Sequence, residues 1–155
     1  MNNYEHLSLL LDKTLESQQK LLELEIRKTD ILIRGSAQEL DEILILEQPL
    51  IMNTARMEQR REALQKEMGL EGVTLREITE NYDPENIYGF KGHFQTLSKV
   101  LQRLKKTNQL NMGILNSQLS LLNQIMIISG LKKSSLTYKK SQPSRTETTE
   151  KKGVL

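Results

Sequence analysis

Residues 21–50, LLELEIRKTDILIRGSAQELDEILILEQPL, predict two helices joined by a very short turn. Gly35 offers the left-handed backbone conformation in which helices often end. Ser36 and Glu39 follow with the three-residue spacing of a capping box, which favours the start of a second helix at Ser36. Because almost nothing separates the two helices, we expect them to fold back on each other as an antiparallel hairpin.

Both helices of this hairpin extend well beyond the turn. From about Asn3 to Arg34 the chain contains neither Gly nor Pro, and apolar residues recur at the steps of a helical stripe. The stripe comprises Leu7, Leu11, Leu15, Leu22, Ile26 and Ile33. The second helix could reach Met68. Pro49 lies inside it and cannot donate a hydrogen bond to the carbonyl of Ile45, so either a kink or a break is expected there.

Two further helices are predicted downstream. Thr74 and Glu77 repeat the capping-box spacing and favour a short helix from Leu75 to about Glu80. From Phe94 to Ser129 only Gly113 interrupts a long run without Gly or Pro, which predicts a third long helix. We therefore expect an all-α fold: an antiparallel bundle of three long helices plus one short helix, in which the third long helix closes the bundle.

The C-terminal residues differ in composition from the rest of the chain. Between Lys132 and the end there are seven Lys or Arg and two Glu, whereas the remainder carries 15 Lys or Arg and 18 Asp or Glu. Apolar residues nearly vanish after Gly130, so residues 139–155 are predicted to form a disordered basic tail. Residues 1–138 then constitute a single helical domain.

Several chemical functions find no support in the sequence. The chain has no Cys, which excludes disulfides, thiolate metal sites and cysteine nucleophiles. Its two histidines, His6 and His93, are far apart and are interpreted as lone surface residues, and the carboxylates are assigned to solvated helix faces. We therefore expect no enzyme activity, no metal, no cofactor and no small-molecule substrate.

Nucleic-acid binding and membrane insertion are not expected either. The basic residues near the C-terminus could contact phosphates, but Tyr138 is the only aromatic residue among them, which makes base stacking poor. No apolar run approaches the roughly 20 residues that a membrane span needs. The N-terminal residues MNNYEHLSLLLDK lack the basic start of a signal peptide, so a cytoplasmic location is expected.

The segment 108–130, NQLNMGILNSQLSLLNQIMIISG, belongs to a helix with two apolar stripes. The first comprises Leu101, Leu104, Leu115, Leu122 and Ile125. The second comprises Leu110, Ile114, Leu121 and Ile128. A bundle helix needs to bury only one stripe, so the second requires a cover. Either the Leu75 helix or a homodimer partner covers it, or a helix of a substrate protein does.

Asn108 and Asn111 occupy positions of the first stripe where Leu would be expected. A buried Asn costs stability unless its amide is paired, but it can fix the register of a helix. The two amides either pair across the bundle or face water where the stripe drifts outward.

In their order and spacing, these features resemble the FlgN family of flagellar export chaperones over roughly residues 4–138. The resemblance rests on the hairpin at residues 21–50, and on Arg60 and Arg61 followed by the link and capped helix GLEGVTLREIT. It also includes the Asn-rich third long helix with its Leu-rich end, and Thr137 with Tyr138 shortly after it.

The resemblance implies a protein that binds hook-associated proteins, which form the hook–filament junction, before they are exported. It implies capture of the substrate's C-terminal amphipathic helix by the last helix, here Asn108, Asn111 and the second stripe, and delivery to the cytoplasmic domain of the export gate. Tyr138 then either docks at the gate or packs on the bundle. The chain has Lys139 and Lys140 where the family often has Gly soon after the Tyr. The rival interpretation is a homo-oligomeric helical or coiled-coil scaffold that uses the same stripe for self-association.

Overall fold

The computed structural model describes residues 1–130, which form helices joined by short links. The elements are α1 (Asn3–Arg34), α2 (Ala37–Glu67), α3 (Leu75–Glu77), a π-helical turn (Ile78–Tyr82) and α4 (Phe90–Ile128). No strand occurs in these residues, so the all-α prediction is confirmed. None of the helices in this part of the chain has the combined length and hydropathy of a membrane span. The predicted tail, residues 139–155, and Tyr138 lie outside the described residues.

The turn between α1 and α2 forms as predicted. Gly35 ends α1 with a φ of 72°, and the Ser36 side chain accepts a hydrogen bond from the backbone N–H of Glu39. The Glu39 carboxylate does not return a bond to Ser36, because it accepts one from Arg34 Nη1 over 2.6 Å. An ion pair between the two helices thus replaces the second half of the capping box.

α2 runs through Pro49 without a break. The proline leaves the carbonyl of Ile45 without its usual helical donor. Both residues lie on the exposed side of α2, where water can hydrate that carbonyl. The helix therefore continues past the proline for another 18 residues, to Glu67.

α1 and α2 pack side by side in opposite directions. Near the middle of α1, Ser17 Oγ lies 3.3 Å from Thr54 Oγ1 of α2. Nearer the turn, Lys28 Nζ lies 2.7 Å from Glu47 Oε1. A higher number on α1 thus faces a lower number on α2, as the predicted antiparallel hairpin requires.

α4 packs on the other side of α1 and runs parallel to it. Ser8 lies beside His93 at the start of both helices, and Leu32 lies beside Gln118 near the end of α1. No Cα atom of α2 lies within 8 Å of a Cα atom of α4, both helices being fully described. The predicted bundle is therefore confirmed only in part: α1 is the central helix, and α4 does not close the bundle against α2.

The best-packed core lies at the end where α1 and α4 begin. α3 and the π-helical turn cover the start of α4 there. The buried core residues are Leu7, Leu11, Leu70, Leu75, Ile78, Phe90 and Leu97. The start of α4 was predicted at Phe94, but the helix begins at Phe90, because Asp83 accepts hydrogen bonds from the N–H groups of Tyr88 and Phe90.

Arg61 and Gln65 hold the link between α2 and α3 in place. Arg61 is buried and binds the carboxylate of Glu58 and the side-chain oxygen of Gln65. Gln65 Nε2 in turn donates to the carbonyl oxygens of Leu70 and Val73, over 3.2 and 2.8 Å. These bonds fix the link on the end of α2, and Arg61 therefore has a structural role.

Candidate functional site

α4 extends beyond the end of α1. The two helices begin together, but α4 has 39 residues and α1 has 32. Gln118 Nε2 donates to the carbonyl of Leu32 over 2.6 Å, so the end of α1 at Arg34 falls near residue 120 of α4. Residues 121–128, called here the free end of α4, lie past that point and span about 12 Å at 1.5 Å per residue.

The second apolar stripe of α4 is mostly open to solvent. Leu110, Leu121 and Ile128 are 54, 59 and 85% exposed, and Ile114 is half-buried. α3 packs on the start of α4 and leaves this stripe uncovered, so the expectation that the Leu75 helix covers it is wrong. A second copy of the chain or a partner helix remains as the cover.

The first stripe is buried less completely than predicted. Leu101, Leu104 and Leu115 are half-buried. Leu122 and Ile125 are exposed, because they lie on the free end, where α1 no longer runs alongside. Both stripes are therefore exposed at the free end, which presents apolar side chains on more than one side.

The two asparagines of α4 differ in their surroundings. Asn111 is buried and its amide pairs with Glu25 and Thr29 of α1. Of the two alternatives for this residue, pairing across the bundle is therefore the one that the structure shows. Asn108 is half-buried and, in the described residues, has no hydrogen-bond partner for its side chain. Of the two, only Asn108 leaves an amide without a partner in the described residues, and as a member of the first stripe it lies on the other side of α4 from Leu110.

A buried polar cluster links all three long helices next to Asn111. Lys28 Nζ of α1 lies 2.8 Å from Glu25 Oε1 and 2.7 Å from Glu47 Oε1 of α2. Glu25 and Glu47 are 5 and 4% exposed, so the assignment of all carboxylates to solvated faces is wrong for these two. The sequence did contain a signal, since Glu25 falls three residues after Leu22, on the buried stripe of α1.

The cluster shifts the pKa values of its members in opposite directions. Burial has the largest effect on Glu47 and raises its pKa to about 6. Burial also raises the pKa of Glu25, but hydrogen bonds from Lys28, Glu47 and Asn111 outweigh burial and hold it below its ordinary value. Burial lowers the pKa of Lys28, and its two carboxylate partners raise it above the ordinary value overall. The charged state of Glu47 is therefore the least favourable one in the cluster.

His93 is not the lone surface residue that was expected. Its Nε2 lies 2.9 Å from Ser8 Oγ and its Nδ1 lies 3.3 Å from Asp12 Oδ1. The order Ser, His, carboxylate is that of a hydrolase triad. Here the Ser8 hydroxyl donates its hydrogen to the carbonyl of Tyr88 over 2.9 Å, so Nε2 must donate to Ser8. That polarity is opposite to the one a general base needs, and the group instead ties the start of α4 to α1.

Two other expectations about sites can be compared with the structure. His6 is exposed, as predicted for a surface residue. Within residues 1–130, no three His, Cys, Asp or Glu side chains lie close enough together to hold a metal ion.

One comparison with known proteins gives a match. A family model described as FlgN protein matches residues 1–145, which include all the helices described above. No curated protein and no solved structure matches the chain.

Proposed function

The chain belongs to the FlgN family of flagellar export chaperones, and on this basis we propose that it binds hook-associated proteins in the cytoplasm. It holds the C-terminal helical region of such a protein and delivers the protein to the cytoplasmic domain of the export gate. Because the family is one of chaperones rather than enzymes, no catalytic step and no cofactor belong to the proposal.

The observation that carries the proposal is the exposed apolar surface of α4. Leu110, Leu121 and Ile128 lie along one side of the helix at spacings that match a packed partner helix. Covering each such side chain removes apolar area from water, at about 25 cal/mol per Å². An amphipathic helix of the substrate is therefore the partner that this surface fits best.

The edges of this surface suit several related substrates. Ile114 is half-buried one turn after Leu110, and Met126 is half-buried one turn after the exposed Leu122 of the free end. Methionine side chains repack readily around different partners. A substrate helix held in this way cannot associate with other copies of the substrate, which is the task of an export chaperone.

Delivery needs a second surface, and we assign it to Tyr138. One molecule must hold the substrate and reach the gate at the same time, so the two contacts have to be separate. An aromatic side chain beside Lys132, Lys133, Lys139 and Lys140 can anchor in a pocket of the gate while the charges speed the encounter.

Calorimetry with a synthetic peptide tests the proposal. The peptide reproduces the C-terminal amphipathic helix of a hook-associated protein, and light scattering measures the mass of the complex. We expect one peptide to bind per chain. A control peptide of the same length with its apolar positions changed to Ser should not bind, because it has no apolar area to bury on α4.

The rival scaffold interpretation gives a different result in the same experiment. A scaffold that uses the α4 stripe for self-association would be a stable oligomer, and its mass would not respond to the peptide. Absence of binding heat with peptides from every hook-associated protein of the same bacterium would refute the chaperone proposal.

A further inference from the structure

Two exposed isoleucines extend the apolar surface of α1 beyond the core. Ile26 and Ile33 belong to the apolar stripe predicted for α1, but unlike its other members they are exposed, by 44 and 67%. They are seven residues apart, about two helical turns, so they lie on one side of the helix. Ile26 also borders a shallow hollow between α1 and α2. The exposure of these two side chains has no explanation within the core.

The contact between Glu25 and Asn111 shows which way Ile26 points. The Asn111 amide donates to the Glu25 carboxylate, so these two residues face each other between α1 and α4. Ile26 follows Glu25 and Leu110 precedes Asn111, and each is rotated by about 100° from its neighbour. Because α1 and α4 are parallel and right-handed, a step forward on one helix and a step back on the other lead to the same side. Ile26 and Leu110 therefore lie on one side of the α1–α4 pair.

The next contact along the helices gives the same result for Ile33. Gln118 donates to the carbonyl of Leu32, and Ile33 follows Leu32. Leu121 is three residues after Gln118, a rotation of about 300°, which equals about 60° backwards. Ile33 and Leu121 thus lie on the same side as the pair described above. The groove between the two rows is called the side groove, and its lining residues are Ile26, Ile33, Leu110, Ile114 and Leu121.

The other helices lie on the opposite side of α1 and α4. Lys28 contacts α2, and it is rotated from Glu25 by about 60° in the direction opposite to Ile26. α3 packs against the other flank of α4, where the Arg76 guanidinium lies over the ring of Phe94, 5.7 Å from its centre. The side groove therefore has no cover within residues 1–130.

The two edges of the side groove carry opposite charges. On α4, three exposed basic residues recur at steps of four and three residues beside the second stripe: Lys99, Arg103 and Lys106. On α1, Glu23 and Asp30 are exposed on the edge that lies beyond the two isoleucines. Of these five residues, only Asp30 takes part in a salt bridge in residues 1–130. The groove thus lies between a basic edge and an acidic edge that are both open to a partner.

We propose that the side groove holds the substrate helix, so that α1 forms a second wall of the binding site. This inference rests on the proposed function and adds Ile26 and Ile33 to the residues that contact the substrate. A helix in the groove packs on two helices instead of one, which buries more apolar area than α4 alone.

The charges of the groove specify the chemistry of the bound helix. It is amphipathic, with acidic residues on the flank that faces Arg103 and basic residues on the flank that faces Glu23. An equally apolar helix with the two flanks exchanged places like charges together, which is costly. The side groove therefore selects among amphipathic helices by charge as well as by apolar area.

Calorimetry of the full chain with the C-terminal helix peptide of a hook-associated protein tests the second wall. Ile33→Asp should raise the dissociation constant about tenfold, because the bound peptide would cover an unpaired carboxylate. Ile33 is exposed in the unbound chain, so circular dichroism should show an unchanged melting temperature. Ile45→Asp is the matched control, since Ile45 is a 70% exposed isoleucine on α2 and its change should leave the affinity unaltered.

A charge reversal on α4 tests the basic edge. Arg103→Glu should raise the dissociation constant for the same peptide at least severalfold and weaken the dependence of binding on salt concentration. Lys105→Glu makes the same change of charge two residues later. Lys105 lies on the flank of α4 that faces Arg76, so its change should have little effect.

The outcomes separate the inference from the proposed function. A wild-type chain that binds none of these peptides refutes both. A peptide whose binding is weakened by Leu121→Asp but not by Ile33→Asp lies on α4 alone, which overturns the inference and leaves the proposed function intact. Equal effects of Arg103→Glu and Lys105→Glu would likewise overturn it, because the basic edge would then give no preference for one side of α4.

Discussion

Asn111 of α4 donates both hydrogens of its side-chain amide to Glu25 of α1, one to the backbone carbonyl and one to the carboxylate, each over 2.9 Å. The Asn111 oxygen accepts a third bond, from Thr29 Oγ1 over 2.6 Å. A leucine at this position could satisfy none of these groups. Since the bonds form in only one alignment of the two helices, Asn111 sets the register of α4 and hence how far its free end extends.

Asn111→Ala should lower the free energy of unfolding by about 2 kcal/mol, because it leaves buried groups of Glu25 and Thr29 without their partner. Urea denaturation followed by circular dichroism measures the change. Asn108→Ala is the matched control on the same helix and should have a clearly smaller effect. Equal losses for the two variants would mean that the pairing with Glu25 does not stabilise the fold.

Glu47→Gln should change how stability depends on pH. The folded-state pKa of Glu47 is raised to about 6 from 4.5, so the folded chain holds this proton more tightly than the unfolded chain. Stability from this group is fully present below pH 4.5 and is lost as the pH rises through 6. The variant has no carboxyl proton to lose at this position. Its free energy of unfolding should therefore rise by about 2 kcal/mol relative to that of the wild type as the pH increases from 4.5 to 6.

Unfolding free energies of both proteins at a series of pH values between 4 and 7.5 provide the measurement. Glu25 does not interfere above pH 4.5, because its lowered pKa moves its own effect below that value. Glu42→Gln, a change at an exposed residue five positions earlier on α2, is the control and should track the wild type. A constant difference between Glu47→Gln and wild type across the range would contradict the raised pKa.

Local signals predicted most of the secondary structure. Gly35 and Ser36 mark the hairpin because caps depend on neighbouring residues alone. The prediction failed where packing between distant residues determines how the helices are arranged. Nothing in the spacing of α2 or α4 shows that the two helices stay apart. The contact of His93 with Ser8, 85 residues away, has no local signature.

The candidate site was predicted in part. Helical periodicity alone identified the second stripe, with Leu121 and Ile128, as surplus to the core. Its exposure at the free end depends on how far α4 runs past α1, which follows from the pairing of Gln118 with Leu32. That alignment is a tertiary contact, so no pattern within α4 could have predicted it.

Leu121→Asp and Ile128→Asp should weaken binding of the substrate helix at least about tenfold while leaving the melting temperature nearly unchanged. Both side chains are exposed in the unbound chain, so a carboxylate there stays hydrated until the partner covers it. Leu97→Asp is the contrasting variant on the same helix and should unfold the protein, because Leu97 is fully buried. Leu104 and Leu115, first expected to be core residues, are only half-buried and should give intermediate losses. Unfolding by Leu121→Asp would show that the second stripe belongs to the core.

Tyr138→Ala should separate delivery from capture. If Tyr138 anchors the chaperone at the export gate, the variant keeps its helix content and its affinity for the substrate peptide but binds the gate's cytoplasmic domain less tightly. Circular dichroism and calorimetry measure the first two properties, and co-purification with the gate domain in the presence of substrate measures the third. Tyr82→Ala is the matched control, since Tyr82 is an exposed tyrosine beside the start of α4, far from its free end. The alternative, in which Tyr138 packs on the bundle, predicts a lower melting temperature for Tyr138→Ala. Either that loss of stability or unchanged gate binding would remove Tyr138 from the delivery surface.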